Sequence, residues 1–508
     1  MRKSMTLMFV LLTAIAVKAQ TMDIDMDDPA DVLTCANAGN DVCQNLLGKW
    51  LFEGSHGFDQ DFGNAVKWWL HAAEHNNEEA MGNLGFCYLH GLGVNADSSI
   101  AAQLFEKSIK MGNKALLQVH DSLARGGSVI SAMLLGRCYK LGRGVPRNPN
   151  IASEYYMMAV ERGNVEAMVE AAMLMLNVKK DSVAFSLFQR AMQNGDLTAT
   201  YYCGKMMSDG RGTNKDALKG AVYLQKAAEQ DYATAQFELA EAYRNGNGVS
   251  EDKAQAVHWY RKAALGGNRA AWWKLSECYR DGIGVSQSYE SALECYLRAY
   301  SVGYHNKLKS LLNDGGSEWT GTPFMTYLRG CRLLEVDGNP DAARKEFARL
   351  PKNCAEGQTM QAVCLLHSSN AQKDVKKAVK ILRKQADKDS RAAFELALLQ
   401  IAGDGVERDL EQAEKTLLGL AERGYPKAVN YLADCYYEGR GLKQDRKKAT
   451  MLYLKAEKHQ HLTSIGAARL SVCYKNGEGV KQDAERAQEL EKYKPLDIKT
   501  LLNIVPKI

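Results

Sequence analysis

Six copies of one five-residue run constrain the fold more than any other feature of the chain. Each copy starts with Leu, continues with small or polar positions and ends in Tyr, as in Leu84-Gly85-Phe86-Cys87-Tyr88. The copies end at Tyr88, Tyr139, Tyr243, Tyr279, Tyr436 and Tyr474, and a Gly-x-Gly begins three residues after each Tyr. Such self-similarity is the signature of repeat architectures, whose units must stack to bury their apolar faces.

The glycine pairs define the length of the unit. They begin at Gly91, Gly142, Gly210, Gly246, Gly282, Gly403, Gly439 and Gly477, most often 36 residues apart. Glycine accepts left-handed backbone angles at a helix C-terminus, so each pair predicts a helix end. A residue type that caps helix N-termini is assigned after seven of the eight pairs: Asp97, Asn148, Asp252, Ser288, Asp409, Asp445 and Asp483. Each unit therefore predicts a helix, a tight loop and a second helix.

The predicted fold class is all-α: an α/α superhelical solenoid of about twelve antiparallel helix pairs, with a period of about 36 residues. Two stretches break the phase. Lys114 to Gly127 predicts one extra helix, and the stretch between Gly303 and Gly357 is longer than one unit. We expect an N-terminal array over 20–313, an irregular break or degenerate repeat over 314–357, a C-terminal array over 358–494 and a capping tail over 495–508. The break is interpreted either as decay within one solenoid or as a hinge that exposes Trp319.

Most of the twelve cysteines predict packing rather than cross-linking. Five of them share one position of the run, which Ala242 occupies in another copy: Cys87, Cys138, Cys278, Cys435 and Cys473. Such a position is a small buried slot, in which a free thiol behaves as a small hydrophobe. The Leu and the Tyr of the run are assigned to the same stacking core.

Cys35 and Cys43 differ from these five. Aligned on the repeat, they take the places of Ala159 and Ala167, which should face each other where one unit's second helix meets the next unit's first helix. We predict a disulfide between them that stabilises the N-terminal end of the array. Cys354 and Cys364, ten residues apart, are a weaker candidate pair.

Residues 1–19 have the pattern of a secretory signal peptide. Arg2 and Lys3 form a basic region, Leu7 to Val17 forms a short apolar stretch, and Ala19 ends a cleavage pattern of small residues. The expected location is therefore periplasmic or extracellular, without membrane insertion. Removal of this segment lowers the formal net charge from +5 to about +2, which gives no electrostatic reason to expect nucleic acid as a partner.

The repeated pattern resembles the Sel-1-like repeat, a relative of the tetratricopeptide repeat. Leu239 to Ala264 is close to a full match, with the run, the glycine pair, the capping Asp and a closing Lys-Ala-Ala in order. The resemblance implies an α/α superhelix that serves as a protein-binding adaptor or scaffold. The spacing of Cys35 and Cys43 is also similar to that of a cysteine-rich secreted branch, some of whose members have been linked to β-lactam binding.

Two short motifs suggest chemistry, but the repeat explains both. His71-Ala72-Ala73-Glu74-His75 fits a zinc-protease pattern, yet Ala-Ala-Glu also closes another second helix at Ala227-Ala228-Glu229. The S-x-x-K pattern at Ser250 lies where Asp252 is already predicted to cap a helix. We therefore expect a protein that is not an enzyme and has no catalytic residue, metal or cofactor.

The predicted function is binding of a protein or peptide by the first helices. By analogy with tetratricopeptide arrays, the candidate face consists of the position before the Cys or Ala of the run and the position after its Tyr. The candidates are Phe86, Arg137, Lys140, Glu241, Arg244, Glu277, Arg280, Asp434 and Tyr437. These charged pairs would also suit an ordinary solvated face. Two other functions stay open: a hydrolase of β-lactam or cell-wall substrates, and a protein that binds cell-wall glycan without catalysis.

Overall fold

A computed structural model of the chain describes residues 25–303, 321–368, 371–495, 499 and 502–503. Within these ranges it contains 26 α-helices and no β-strand. They divide into two compact units, unit 1 up to Tyr223 and unit 2 from Leu224. The predicted signal peptide, Trp319 and most of the predicted tail lie outside the described residues.

Unit 1 contains α1 (Pro29–Asn37), α2 (Asp41–Glu53), α3 (Phe62–Glu74), α4 (Glu78–His90), α5 (Ser98–Lys110), α6 (Lys114–Arg125), α7 (Val129–Leu141), α8 (Pro149–Glu161), α9 (Val165–Asn177), α10 (Asp181–Gln193) and α11 (Leu197–Asp209), and its boundary falls within α12 (Ala217–Glu229). Unit 2 continues with α13 (Ala233–Asn245), α14 (Lys253–Leu265), α15 (Arg269–Asp281), α16 (Tyr289–Ser301), α17 (Pro323–Glu335), α18 (Pro340–Phe347), α19 (Ala355–Leu366), α20 (Ala371–Gln385), α21 (Ser390–Ala402), α22 (Leu410–Glu422), α23 (Pro426–Glu438), α24 (Arg446–Lys458), α25 (Ser464–Asn476) and α26 (Ala484–Glu491).

The order of the helices confirms the predicted α/α solenoid. Helices α2 to α5 and α7 to α26 alternate as first and second helices of twelve pairs, while α1 and α6 are additional. Helix α6 is the extra helix predicted from the first break in phase. A complete pair, α17 and α18, lies within the second break. None of the helices in the described ranges is long and apolar enough to cross a membrane.

Local backbone chemistry places the helix ends as predicted. All eight glycines that begin a Gly-x-Gly adopt left-handed angles immediately after a first helix. All seven predicted N-cap residues accept a hydrogen bond from the first turn of a second helix. These side chains satisfy amides that would otherwise lack a partner, so they fix where the helix begins.

The second glycine of the pair has a different role, which Gly284 shows. A Cβ atom on Gly284 would lie 2.0 Å from the carbonyl oxygen of Lys253, in the first turn of the preceding second helix. Its backbone angle φ is also positive, at 69°. Both facts favour glycine here, so this residue allows one loop to pack directly on the backbone of the preceding pair.

The small residue of the run is the contact point for a large ring. A Cβ atom on Gly136 would lie 2.6 Å from the ring of Tyr156, and Gly85 stands in the same relation to Phe105 at 2.7 Å. These rings occupy the eighth position of the second helix and are almost completely buried, as are their counterparts Phe188, Tyr260, Tyr296, Phe347 and Tyr453. In these seven pairs the ring of the second helix therefore forms the centre.

The Tyr that ends the run is less buried than expected. Tyr88, Tyr139, Tyr243, Tyr279 and Tyr474 are partly exposed, and Tyr436 is buried. Tyr436 nevertheless belongs to a core cluster, and Tyr88, Tyr139 and Tyr474 pack against one. The assignment of this Tyr to the stacking core therefore holds for four of the six copies, mostly at the edge of the core, because the ring of the second helix fills its centre. The five cysteines of the run are buried and free, which confirms their interpretation as packing residues.

A disulfide joins Cys35 and Cys43, whose Cα atoms are 5.9 Å apart. The weaker candidate pair was wrong, because Cys354 and Cys364 are both free. Cys354 is the N-cap of α19 and Cys364 lies near the end of the same helix. Ten residues of helix separate two Cα atoms by about 15 Å, which is far beyond the reach of a disulfide.

Candidate binding surface on the first helices

The predicted binding residues occupy two positions of the first helix. Phe86, Arg137, Glu241, Glu277 and Asp434 are at the ninth position, and Lys140, Arg244, Arg280 and Tyr437 are at the twelfth. All nine side chains are partly buried. Each one has a contact within its own unit, so its neighbours show whether it is available to a partner.

In unit 1 these residues connect consecutive first helices. Arg137 Nη2 lies 3.4 Å from Glu166 Oε1, and Lys140 pairs with Glu170. The ring of Phe86 lies 6.2 Å from the ring of Phe52 on the preceding first helix. The two cations are thus neutralised by α9, and the stacking of the units accounts for all three side chains.

In unit 2 the acid at the ninth position binds the ring at the centre of its own pair. Tyr260 donates its hydroxyl proton to Glu241, and Tyr453 donates to Asp434 at 2.7 Å. Burial raises the pKa of both tyrosines, and the hydrogen bond to the acid raises it further. The hydroxyl groups therefore stay protonated and act as donors.

The remaining candidates of unit 2 also have internal partners. Glu277 accepts from Trp273 Nε1 at 2.8 Å, and Arg244 approaches the same carboxylate at 4.0 Å. Arg280 pairs with Asp281 at 2.7 Å. The guanidinium carbons of Arg446 and Arg469 lie 4.9 and 5.3 Å from the ring centroid of Tyr437. A partner-binding role for the nine residues stays a prediction, since every one of them also has a structural contact.

A cavity of about 760 Å³ lies in unit 2 between the second helix α16 and the first helices α21, α23 and α25. Its walls include Leu297 of α16, Phe394 of α21, Ile465 of α25 and one face of α23. Ile465 is 57% exposed at the rim. This volume is within the range of pockets that hold a small molecule or the anchoring side chains of a peptide.

Helix α23 supplies a continuous strip of the cavity wall. Lys427, Asn430, Tyr431 and Asp434 are at its second, fifth, sixth and ninth positions, and they all line the cavity. Residues with this spacing lie on one face of an α-helix. Of the nine residues predicted to bind a partner, Asp434 lines the cavity. Lys427, Asn430 and Tyr431, at the second, fifth and sixth positions, were not predicted.

Helix α16 forms the opposite wall and is held by groups from much later repeats. Arg298 of α16 donates to the carbonyl oxygens of His459 and Gln460 at 3.2 and 2.7 Å. It also pairs with Glu294 at 3.0 Å and lies 4.7 Å from the ring centroid of Trp272. Arg298 is almost completely buried, so these contacts fix the position of the wall.

A second set of charges connects α16 to α21 and α23. Glu290 pairs with Arg391 at 3.3 Å and with Lys427 at 2.8 Å, and it accepts from the hydroxyl of Tyr425 at 3.2 Å. Burial opposes ionisation of Glu290, but the two cations lower its pKa to about 2. The carboxylate is therefore charged at neutral pH and holds α16 against the first turns of two later first helices.

The two motifs with catalytic precedents occupy ordinary positions in the repeat. His71 and Glu74 are exposed on α3, with His71 Nδ1 3.7 Å from Glu74 Oε2. Asp252 caps α14, and Lys253 pairs with Glu251 at 3.2 Å. These contacts are those of exposed helix ends, and they do not assemble a nucleophile with a base.

The residues that hold α16 carry a signal that the sequence contains. Glu356, Arg391 and Lys427 contact α16, and each occupies the second position of its first helix. Ile465, at the rim of the cavity, has the same position in the next first helix. The repeat spacing is enough to show that these residues share a position in their helices. On α16, Glu290 and Glu294 are two acids one helical turn apart, opposite in charge to Arg391 and Lys427. The sequence does not show that these two sets meet, because the contacts join residues more than 60 positions apart.

Comparison with known proteins identifies the repeat. The Sel1 repeat family matches residues 41–77, 78–113, 129–164, 197–232, 233–268, 270–304, 355–390, 390–415, 426–461 and 464–490. Among solved structures, the chain is similar to c5321, a protective antigen of uropathogenic Escherichia coli with an SLR fold, at 22% identity over 95% of each chain and a TM-score of 0.37. It is also similar to a Sel1 repeat protein from Oxalobacter formigenes, at 25% identity over 50% of this chain and 96% of the other, with a TM-score of 0.36. The family matches cover more than half of the sequence and confirm the resemblance seen in its repeats: the chain belongs to the Sel1 repeat family.

Proposed function

We propose that this protein is an exported, non-enzymatic scaffold that binds a protein or peptide at the cavity of unit 2. The cavity supports the proposal because three consecutive first helices, α21, α23 and α25, contribute side chains to its wall. Solenoids use such extended surfaces, built from equivalent helices of successive repeats, for binding. Apolar side chains such as Phe394, Tyr431 and Ile465 would receive an apolar anchor of the partner. Lys427 and Asp434 at the same wall would orient its polar groups.

Export is supported by two features. The first 19 residues have the composition of a secretory signal peptide. The disulfide between Cys35 and Cys43 is stable in an oxidising compartment and rare in the cytosol. Fractionation of the source cells, followed by a thiol-labelling assay of these two cysteines, tests this part of the proposal. Recovery in the cytosol with both thiols labelled would contradict it.

Site-specific crosslinking tests the binding site. A photo-crosslinking residue at Ile465, on the cavity rim, should capture a partner in the native compartment. The matched control is the same residue at Met451, which is 67% exposed but lies on a second helix. Ser464→Trp, which adds bulk at the cavity wall, should abolish capture at Ile465. Equal capture from Ile465 and Met451, or capture that survives Ser464→Trp, would exclude the cavity as the site.

The non-enzymatic part has its own test. Incubation of the folded protein with a β-lactam or fluorophosphonate probe should give no stoichiometric label on a Ser. Such a label would favour the hydrolase alternative. Sedimentation with insoluble cell wall tests the glycan-binding alternative, and binding that is independent of Ser464→Trp would favour it over a peptide in the cavity.

A further inference from the structure

A second cavity of unit 2, of about 240 Å³, lies beside the first. Helices α14, α15 and α16 form one side of it, and the loops before α23 and α25 form the other. It shares Glu294, Arg298, Pro426 and His461 with the larger cavity, so the two are neighbours. Its volume is below the roughly 300 Å³ at which pockets for drug-sized ligands begin, and it therefore suits an ion or a single charged group.

Basic side chains dominate the wall of this second cavity. Five of them line it: Arg261, Arg298, Arg423, His459 and His461. The acid on the same wall is Glu294, which pairs with Arg298 at 3.0 Å and also with His461. Since three guanidinium groups face one carboxylate, the wall carries an excess of positive charge.

Two of these arginines, Arg261 and Arg423, have neutral partners. Arg261 Nη2 donates to the hydroxyl oxygen of Tyr279 at 2.6 Å, and Arg423 Nε donates to the carbonyl oxygen of Gly419 at 3.2 Å. Neither guanidinium forms an ion pair with any residue in the described ranges. Both side chains are exposed, so an ion from solvent can reach them.

The electrostatic field at His459, on the same wall, has the same sign. Burial is the largest cause that lowers the pKa of His459, and the neighbouring charges that lower it further all belong to basic residues: His461, Lys458, Lys455 and Arg261. Lys455 Nζ also donates to the carbonyl oxygen of Ala421 at 2.8 Å, which places a further cation beside the end of α22. Cations held this close repel one another, and a bound anion removes that repulsion.

We propose that this second cavity is a phosphate-binding site, in which Arg261 and Arg423 hold inorganic phosphate or the phosphate group of a small molecule. A guanidinium group binds phosphate through two parallel N–H bonds. Two guanidinium groups from different walls match the charge of about −2 on a phosphate group better than the single charge of a carboxylate. The site does not rest on the proposed function, because neither arginine lines the larger cavity.

Calorimetric titration of the full chain with inorganic phosphate, at an ionic strength held constant with sodium chloride, tests the site. The wild type should show saturable binding. Arg261→Gln and Arg423→Gln should each weaken it about tenfold or more, because each removes hydrogen bonds between two charged groups. Arg162→Gln is the matched control and should bind as the wild type does, since Arg162 is likewise an exposed C-cap of a second helix followed by Gly.

Hydrogen exchange of the wild type locates the ligand without any variant. Added phosphate should raise the protection of α14 and of residues 423–425 and 459–461, because the bound ion would connect these segments. Glycerol 3-phosphate and acetate, titrated in the same way, identify the ligand class. Tighter binding of glycerol 3-phosphate would assign the site to a phosphorylated small molecule, and tighter binding of inorganic phosphate would assign it to the ion itself.

Four results would overturn the phosphate site. They are the absence of saturable binding at millimolar phosphate, unchanged binding in both cavity variants, an equal loss in Arg162→Gln, and acetate binding as tight as that of phosphate. Phosphate binding without capture at Ile465 would contradict only the proposed function, and capture without phosphate binding would contradict only the phosphate site.

Discussion

A substitution at the second glycine of a pair can destabilise the fold in two ways, by steric overlap with the preceding pair and by backbone strain. Two glycines of unit 2 allow these two effects to be measured separately. Gly284 and Gly441 are both the second glycine of a Gly-x-Gly, with φ values of 69° and 75°. A Cβ atom on Gly284 would lie 2.0 Å from the carbonyl oxygen of Lys253. On Gly441 the nearest atom would be Leu410 Cδ2 at 4.0 Å, which is an ordinary contact. Substitution by Ala therefore tests one difference between two matched sites.

The expected losses follow from these distances. A left-handed backbone costs a residue with a Cβ atom about 1–2 kcal/mol, and this cost applies to both Gly284→Ala and Gly441→Ala. Only Gly284→Ala also forces a backbone carbonyl to move, and overpacking of this kind typically adds about 1–3 kcal/mol. We therefore expect Gly284→Ala to lower the free energy of unfolding more than Gly441→Ala, by that second amount.

Urea unfolding followed by circular dichroism measures the two losses in the full chain. Because repeat proteins can open in parts, hydrogen exchange should accompany it. The local effect of Gly284→Ala should appear in α14, and that of Gly441→Ala in α22, since these helices contain the atoms next to each glycine. Equal losses for the two variants would refute the argument that the second glycine is required for close approach.

Three further predictions concern other parts of the fold. Replacement of Cys35 and Cys43 by Ser removes a cross-link that closes a loop of eight residues. The loop entropy gained by the unfolded chain corresponds to a loss of stability of about 2–3 kcal/mol, and hydrogen exchange should show this loss as reduced protection of the N-terminal helices. Tyr453→Phe removes the donor to Asp434 and should lower the unfolding free energy by about 1.5–3 kcal/mol in urea titrations, but by clearly less when Asp434 is already Asn. The pKa of Glu356, raised to about 8 from an ordinary 4.5, means that the folded state keeps a proton that the unfolded state releases. Stability should therefore fall as the pH rises between these values, by at most about 5 kcal/mol, and urea titrations at pH 5 and pH 9 should show a much smaller fall for Glu356→Gln.

The fold was predictable from sequence wherever one residue determines its own backbone. Each glycine pair and each capping residue acts within a few positions of itself, so Gly282 and Ser288 mark a helix end and a helix start in any context. The burial of the run was less predictable. Gly136 is small because Tyr156 of the next helix lies on it, and the pattern does not reveal that this ring lies at the centre of the core while Tyr139 of the run packs at its edge.

The candidate site was predicted only in part, for a geometrical reason. Asp434 lines the cavity, but Lys427 and Tyr431 were missed because the analogy that located the binding face used the ninth and twelfth positions alone. The meeting of Glu290 with Arg391, 101 positions apart, depends on how the repeats between them stack on one another. That stacking comes from side-chain packing at each interface, and a sequence pattern that only counts positions does not contain it.

The way α16 is held also sets an order of events in folding. Glu290 meets Arg391 101 positions later in the chain, and Arg298 reaches His461 163 positions later. A chain that leaves the ribosome from its N-terminus therefore exposes α16 long before its partners exist. Such distant contacts slow folding, in contrast to the neighbour-by-neighbour growth expected of a repeat protein. Unit 2 should complete its folding only when its last repeats arrive, and a chain shortened within them would leave Arg298 without the loop that binds it.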